Sequence, residues 1–288
     1  MQSIYVKDIF QYNNVNINNI NNKFKEKLKN KYLYIPYIGL LNNNETYKLP
    51  KKIFYESRLF YGKNKLLKIR DDTYIQFEGN NKIMSDKWYI KTILGIIENY
   101  NRIFDVKTNI KIYIQVIQKK KYNKNDFQGG FPSYNSIELI LDEKYYNNLL
   151  LIKSLIAHEL LHLYFPSISS KYGTCYNEGL LDYLSVILNF SKKDILYLTK
   201  YKMKEYYEIK QSPENIGYLY QEIPYIMGYL YGYLMENTSI KKIINYIKIY
   251  IKKRKYMIIP WNNKSYINFI KNNLFINKFC KQYIVYNF

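Results

Sequence analysis
The spacing of apolar positions changes along this chain, from strand-like in the first third to helical toward the end. After an Asn-rich opening to about Lys31, with one short helical pattern near Phe24–Leu28, apolar runs occur at Tyr32–Leu41, Ile53–Phe60, Leu66–Ile69 and Thr73–Phe77. The strings NNNE, GKN and EGNN interrupt them, and short runs between turn formers predict a small β-rich module. Ser85 then offers a helix cap, and Trp88, Ile93, Ile96, Ile97 and Tyr100 recur at helical spacing, predicting a helix to about Tyr100. A strand is expected at Ile110–Ile117, followed by a lysine-rich loop to Asp126 and a Gly129-Gly130 pair. A further strand, Ser136–Leu141, follows, with Ile137, Leu139 and Leu141 on one face.

Leu149–Phe165 reads LLLIKSLIAHELLHLYF with no Gly or Pro before Pro166, which predicts a helix. A loop containing Pro166 and Gly173 leads to a second helix at Asn177–Asn189. Beyond Ser191 helical spacing continues through Asp194–Ile209, Tyr218–Glu236, Ile240–Lys253 and Trp261–Asn272, with breaks at Pro213, Thr238-Ser239 and Pro260. The fold class expected is α+β, without internal repeats. Its parts are a β-rich N-terminal module over 1–83, an α/β part over 84–190 and a helical part over 191–288.

Composition adds little to this picture. Hydrophobic residues make up 48% and aromatics 18% of 288 residues, enough for a substantial core. The 36 tyrosines, with the abundant Asn, Lys and Ile, have AT-rich codons and reflect base composition. The formal net charge of +21 favours polyanions in general terms. The lysines are spread out, however, apart from short runs at Lys119–Lys121 and Lys252–Lys255, and no nucleic-acid motif accompanies them. Nucleic acid is therefore an unlikely partner that charge alone does not exclude. No apolar run reaches the ~18 residues of a membrane span, and no signal peptide is evident at the N-terminus. With only Cys175 and Cys280, a reducing, cytoplasmic setting is expected.

The chemistry concentrates in one place. Both histidines of the chain lie in His158-Glu159-Leu160-Leu161-His162, an HExxH string. Four apart on a helix, the two imidazoles share a face and can hold one Zn²⁺, while Glu159 on the adjoining stripe can reach a water held there. Such a site needs a third protein ligand. Glu178 stands sixteen residues after His162, in Asn177-Glu178-Gly179-Leu180-Leu181-Asp182, and would complete a His₂Glu set with one position open for water. Asp182, a turn further on, can orient a ligand histidine through its far nitrogen. The bland alternatives are a first-turn glutamate favoured by the helix dipole and a solvent-facing aspartate. Cys175 reads as a small buried filler.

HExxH followed by Asn177-Glu178-Gly179 on a second helix resembles the gluzincin pattern of zinc metallopeptidases. Over roughly residues 84–288 the surroundings resemble a reduced aminopeptidase N-like catalytic domain. Ile97–Phe104, then Ile110–Ile117, then Gly129-Gly130 follow that family's order ahead of HExxH. Ile223-Pro224-Tyr225-Ile226-Met227-Gly228 is similar to its tyrosine motif, with Tyr220 five residues earlier. The resemblance implies a thermolysin-like zincin core (a small mixed sheet plus the HExxH helix), one Zn²⁺ per chain, and Tyr225 as a donor to the oxyanion of the tetrahedral intermediate. It also implies a peptide held by backbone pairing to the Gly129-Gly130 strand.

Three departures stand out. The gap from HExxH to Glu178 is shorter than in the family, and the family's large N-terminal β domain is reduced or missing. In addition, Pro132 stands where the family's glutamate grips a substrate α-amine. The function expected is a zinc-dependent metallopeptidase in which Glu159 activates water to hydrolyse a peptide bond. Two other readings stay open: a catalytically idle gluzincin-like scaffold acting as a basic binding protein, and a zinc hydrolase acting on something other than peptides.

Overall fold
The structure is a computed structural model, and it describes residues 6–10, 14–35, 39–42, 45–48, 59–78, 85–106, 112–119, 129–133, 136–142, 148–165, 178–211, 226, 228–229, 232–233 and 237–252. Among the described residues both helix and sheet occur, with the strands in the first part and helices dominating the later part, consistent with an α+β class. The chain divides into two compact units, the first formed by 1–91, 108–147 and 255–258 and the second by 92–107, 148–254 and 259–288.

The first unit begins with short elements: α1 (Val6–Ile9), β1 (Asn14–Val15), α2 (Asn22–Leu28), β2 (Tyr32–Ile35), β3 (Gly39–Leu40), β4 (Tyr47–Lys48) and β5 (Phe60–Gly62). β1 pairs with β4, and an antiparallel sheet runs β3-β2-β5. Elements this short bury little individually, so they share one cluster that includes Val6, Phe10, Leu28, Leu33, Ile35 and Leu59.

A five-stranded sheet follows, built from β6 (Leu67–Arg70), β7 (Thr73–Glu78), β8 (Ile112–Lys119), β9 (Gly129–Ser133) and β10 (Ser136–Asp142) in the order β6-β7-β8-β10-β9. Its centre is parallel (β7, β8 and β10), and both flanking strands run antiparallel. Register aligns Ile75, Ile114 and Ile137 in one row and Phe77, Val116 and Leu139 in the next, all buried on the same face. Phe77 meets Tyr89 on that face, with ring centroids 6.0 Å apart.

The opposite face is buried too, but it is polar. Gln76, Gln115 and Glu138 form a row across three strands. The Gln115 amide donates to Gln76 Oε1 at 2.7 Å and to the Tyr61 carbonyl at 3.1 Å, and the Gln76 amide donates to the Asn64 carbonyl at 2.8 Å. Each buried amide thereby finds its partners.

The second unit takes the later turns of α3 (Asp86–Phe104), then α4 (Leu149–Leu161), α5 (Leu181–Asn189), α6 (Lys192–Gln211) and α7 (Asn237–Lys252). Asn148 caps α4, its side-chain oxygen accepting from the amides of Leu150 and Leu151 at 3.1 and 3.3 Å. Because α4 is apolar on nearly every side, its second half is buried all round, from Ile156 through Leu161. Tyr100, fully buried, donates from its hydroxyl to the Ala157 carbonyl at 2.8 Å, and Tyr164 donates to Asn101 Oδ1 at 2.9 Å. The Asn99 amide reaches the Leu188 carbonyl at 2.6 Å. These bonds lock α3, α4 and α5 together around the Tyr100, Phe104 and Tyr164 rings.

Gly232 matters for close approach: a Cβ there would meet the Tyr183 ring at 2.5 Å. Among the described residues no helix is long and apolar enough to cross a membrane.

Several expected boundaries move. The helix expected to reach Phe165 ends at Leu161. Leu163 and Tyr164 bond three residues back, to the Leu160 and Leu161 carbonyls at 3.2 and 2.9 Å, which tightens the last turn. The Gly129-Gly130 strand that the resemblance implied spans Gly129–Ser133 and pairs antiparallel with β10; apolar spacing by itself marked only Ser136–Leu141. Thr238-Ser239 fall inside the first turn of α7, because small hydroxylic residues suit a helix start as well as a break. The helix expected at Tyr218–Glu236 is described only at residues 226, 228, 229, 232 and 233. The loop to Asp126, Cys175, Cys280 and the helix expected at Trp261–Asn272 lie outside the described residues.

Candidate metal centre
His158 on α4 and His162, the helical-backbone residue just past its end, keep i, i+4 spacing and set the two imidazoles one turn apart, with centroids 4.7 Å apart and planes at 87°. Both rings are nearly fully buried, at 2% and 3% exposure. Glu178 reaches them from the other side. It opens a wide π turn, Glu178–Leu180, that runs directly into α5; such turns hold one more residue than an α turn and redirect the side chains they carry.

Three ligand-type atoms converge. His158 Nε2 lies 3.1 Å from His162 Nε2 and 3.1 Å from Glu178 Oε2, and His162 Nε2 lies 3.6 Å from the same oxygen. Two ligands bound at ~2.0–2.1 Å in a tetrahedral arrangement stand roughly 3.3 Å apart, so this triangle has the dimensions of three corners of a zinc site. The donor chemistry agrees. Two ring nitrogens facing each other at 3.1 Å can share at most one proton, and a carboxylate brings a third acceptor. A cation satisfies all three at once. His158, His162 and Glu178 form a group that could hold a metal ion.

Without an ion, the electrostatics are those of a proton standing in for it. Burial pushes the His158 ring down, but the hydrogen bond with Glu178 and the charges of Glu159, Asp182 and Glu178 outweigh it, and its pKa is raised to about 9. For Glu178 burial pushes upward, and the hydrogen bonds to His158 and His162 overcome it, holding the carboxyl well below the usual range.

Two more acids belong to this neighbourhood. Glu159 is 5% exposed, and its charge acts on His158. Asp182, in the first turn of α5, presents Oδ1 to His158 Nδ1 at 3.9 Å, an ion-pair approach longer than a hydrogen bond. Its other oxygen, Oδ2, lies 3.2 Å from Lys202 Nζ on α6.

Lys202 escaped the sequence reading because it is one basic residue among 44. A signal was present, since Leu198, Thr199 and position 202 share a helical stripe whose first two members are buried. Gly129 and Gly130 sit in β9, opposite Ile140 and Leu139 of β10. β9 is the last strand of its sheet among the described residues. Tyr225 lies outside the described residues; one turn on, Tyr229 is fully buried, its hydroxyl 3.2 Å from Thr199 Oγ1.

No protein-family model matches the sequence, and no curated protein matches it. Solved structures do match the fold. An aminopeptidase N family protein from Idiomarina loihiensis superposes with a TM-score of 0.58 at 14% identity, over 87% of this chain and 52% of that one. Native yeast LTA4 hydrolase gives 0.54 at 12%, over 86% and 43%, and the same yeast enzyme in complex with bestatin gives 0.53 at 12%, over 87% and 43%. This chain therefore spans about half the length of the structures it resembles. The superpositions show a shared fold with these aminopeptidase N-like chains, as the motifs suggested, and identities of 12–14% show nothing beyond the fold.

Proposed function
We propose that the protein is a zinc-dependent metallopeptidase with a thermolysin-like zincin core. The observation that carries this is the convergence of His158 Nε2, His162 Nε2 and Glu178 Oε2 within 3.6 Å of one another beside the buried Glu159. The shared fold with aminopeptidase N-like chains supports it.

His158, His162 and Glu178 would hold one Zn²⁺ per chain. A zinc ion in such a set supplies Lewis acidity, polarising a carbonyl and bringing the pKa of a coordinated water toward ~7. Glu159 takes a proton from the attacking water and delivers it to the leaving amine, a role suited to a carboxylate held in a nearly dry position. Asp182 orients the His158 ring from its outer nitrogen. Tyr225, on the strength of the tyrosine motif, donates to the oxyanion. An extended peptide pairs by backbone hydrogen bonds with the Gly129-Gly130 strand. With Pro132 in place of an acid, α-amine recognition is not among the features this proposal relies on.

Metal analysis of protein purified without added zinc, followed by digestion of a peptide library with wild type and Glu159→Gln, tests the proposal. One equivalent of zinc in both proteins is expected, with cleavage reduced about 10²–10⁴-fold in the variant. Zinc-free protein with steeply salt-dependent nucleic-acid binding would instead support the idle basic scaffold. Zinc present without peptide cleavage would point to a hydrolase of other bonds.

A further inference from the structure
Asp182 is a carboxylate with a 7% exposed side chain and two differently engaged oxygens: Oδ2 faces Lys202 Nζ at 3.2 Å, and Oδ1 faces His158 Nδ1 at 3.9 Å. A charge this deeply buried needs a counter-charge, and where that charge sits decides which way the carboxylate turns. Lys202 supplies it from a firmly placed turn. Three residues earlier, Thr199 donates its hydroxyl proton to the Ile195 carbonyl at 2.8 Å. With that one proton committed, the Tyr229 hydroxyl at 3.2 Å must be the donor to Thr199. Thr199 is 2% exposed and Tyr229 fully buried, so this part of α6 is pinned on its inner side, while the Lys202 side chain remains 22% exposed.

The geometry points to Lys202 as a positioning residue for the His158 ring, acting through Asp182. By placing its charge beside Oδ2, Lys202 leaves Oδ1 facing Nδ1. An imidazole whose Nδ1–H is directed at a carboxylate presents the Nε2 lone pair on its opposite edge. That edge faces His162 and Glu178. The inference rests on the metal-site reading above. It adds that the ion's grip on His158 depends on a lysine that touches neither ion nor substrate.

Zinc affinity, measured on the full chain by competition with a chromogenic chelator, tests it. The proteins needed are wild type, Lys202→Met, Lys202→Arg, Asp182→Asn and the Lys202→Met/Asp182→Asn double variant. Lys202→Met is expected to weaken zinc about tenfold or more, the usual scale for an outer-shell partner. Lys202→Arg should recover most of that loss, and the double variant should bind no more weakly than Asp182→Asn alone, because both changes remove one pathway. Thermal melts of the same proteins separate lost folding from lost affinity, and Lys202→Gln replaces Lys202→Met if the latter does not fold. Wild-type affinity in Lys202→Met, or losses that simply multiply in the double variant, would overturn the role of Lys202 while leaving the metal site standing. A wild type that binds no zinc would remove both.

Discussion
At the scale of the residue, a proton and the proposed ion would compete for the same nitrogens. His158, with its pKa raised to about 9 by neighbouring carboxylates, holds a proton at neutral pH when no ion is bound. Zinc requires the neutral ring, so binding must displace that proton. The sign follows directly: affinity should rise by up to about tenfold per pH unit while His158 remains protonated in the ion-free protein, and the rise should flatten above about pH 9. Zinc titrations at several pH values, with proton uptake or release followed by calorimetry in buffers of different ionisation enthalpy, check this. A pH-independent affinity between 6 and 9 would contradict the raised pKa of His158.

At the scale of the element, much was legible because apolar spacing carries it. The repeats at Ile93, Ile96 and Ile97 mark a helix, and Ile137 with Leu139 marks one face of a strand. What escaped depends on interactions that spacing does not encode. The π turn at Glu178–Leu180, which carries the proposed ligand Glu178, leaves no trace in hydrophobic periodicity. The end of α4 is set by backbone bonding just ahead of Pro166. The Gly129-Gly130 strand was legible only through the family resemblance, since its own residues carry no apolar pattern, and pairing with β10 fixes it over Gly129–Ser133.

Asn148 is a case in which the local code and the site meet. It caps the helix that carries both histidines and also donates from its amide to the Tyr197 hydroxyl at 3.0 Å. Asn148→Ala should cost about 1 kcal/mol of stability, read as a lower denaturant midpoint with unchanged slope. Stability equal to wild type would show that the cap contributes nothing here.

At the scale of the whole molecule, the chain matches the fold of proteins roughly twice its length, and α3, α4 and α5 are held together by Tyr100, Tyr164 and Asn99. A ligand that bridges α4 and α5 should therefore stabilise the second unit as a unit. Removing zinc with a chelator should lower Tm, and restoring free zinc to about a hundred times its Kd should return about 2.7 kcal/mol. In a chain of this size that corresponds to roughly 4–5 °C, and calorimetric scans with and without zinc measure it. Identical melting in both states would argue that no ion links these helices.

The placement of every histidine in one cluster has a practical consequence for spectroscopy. In a sample labelled with ¹⁵N only at histidine, each imidazole resonance comes from His158 or His162. Such a spectrum would report which nitrogen of each ring carries a proton, with no background from the remainder of the chain.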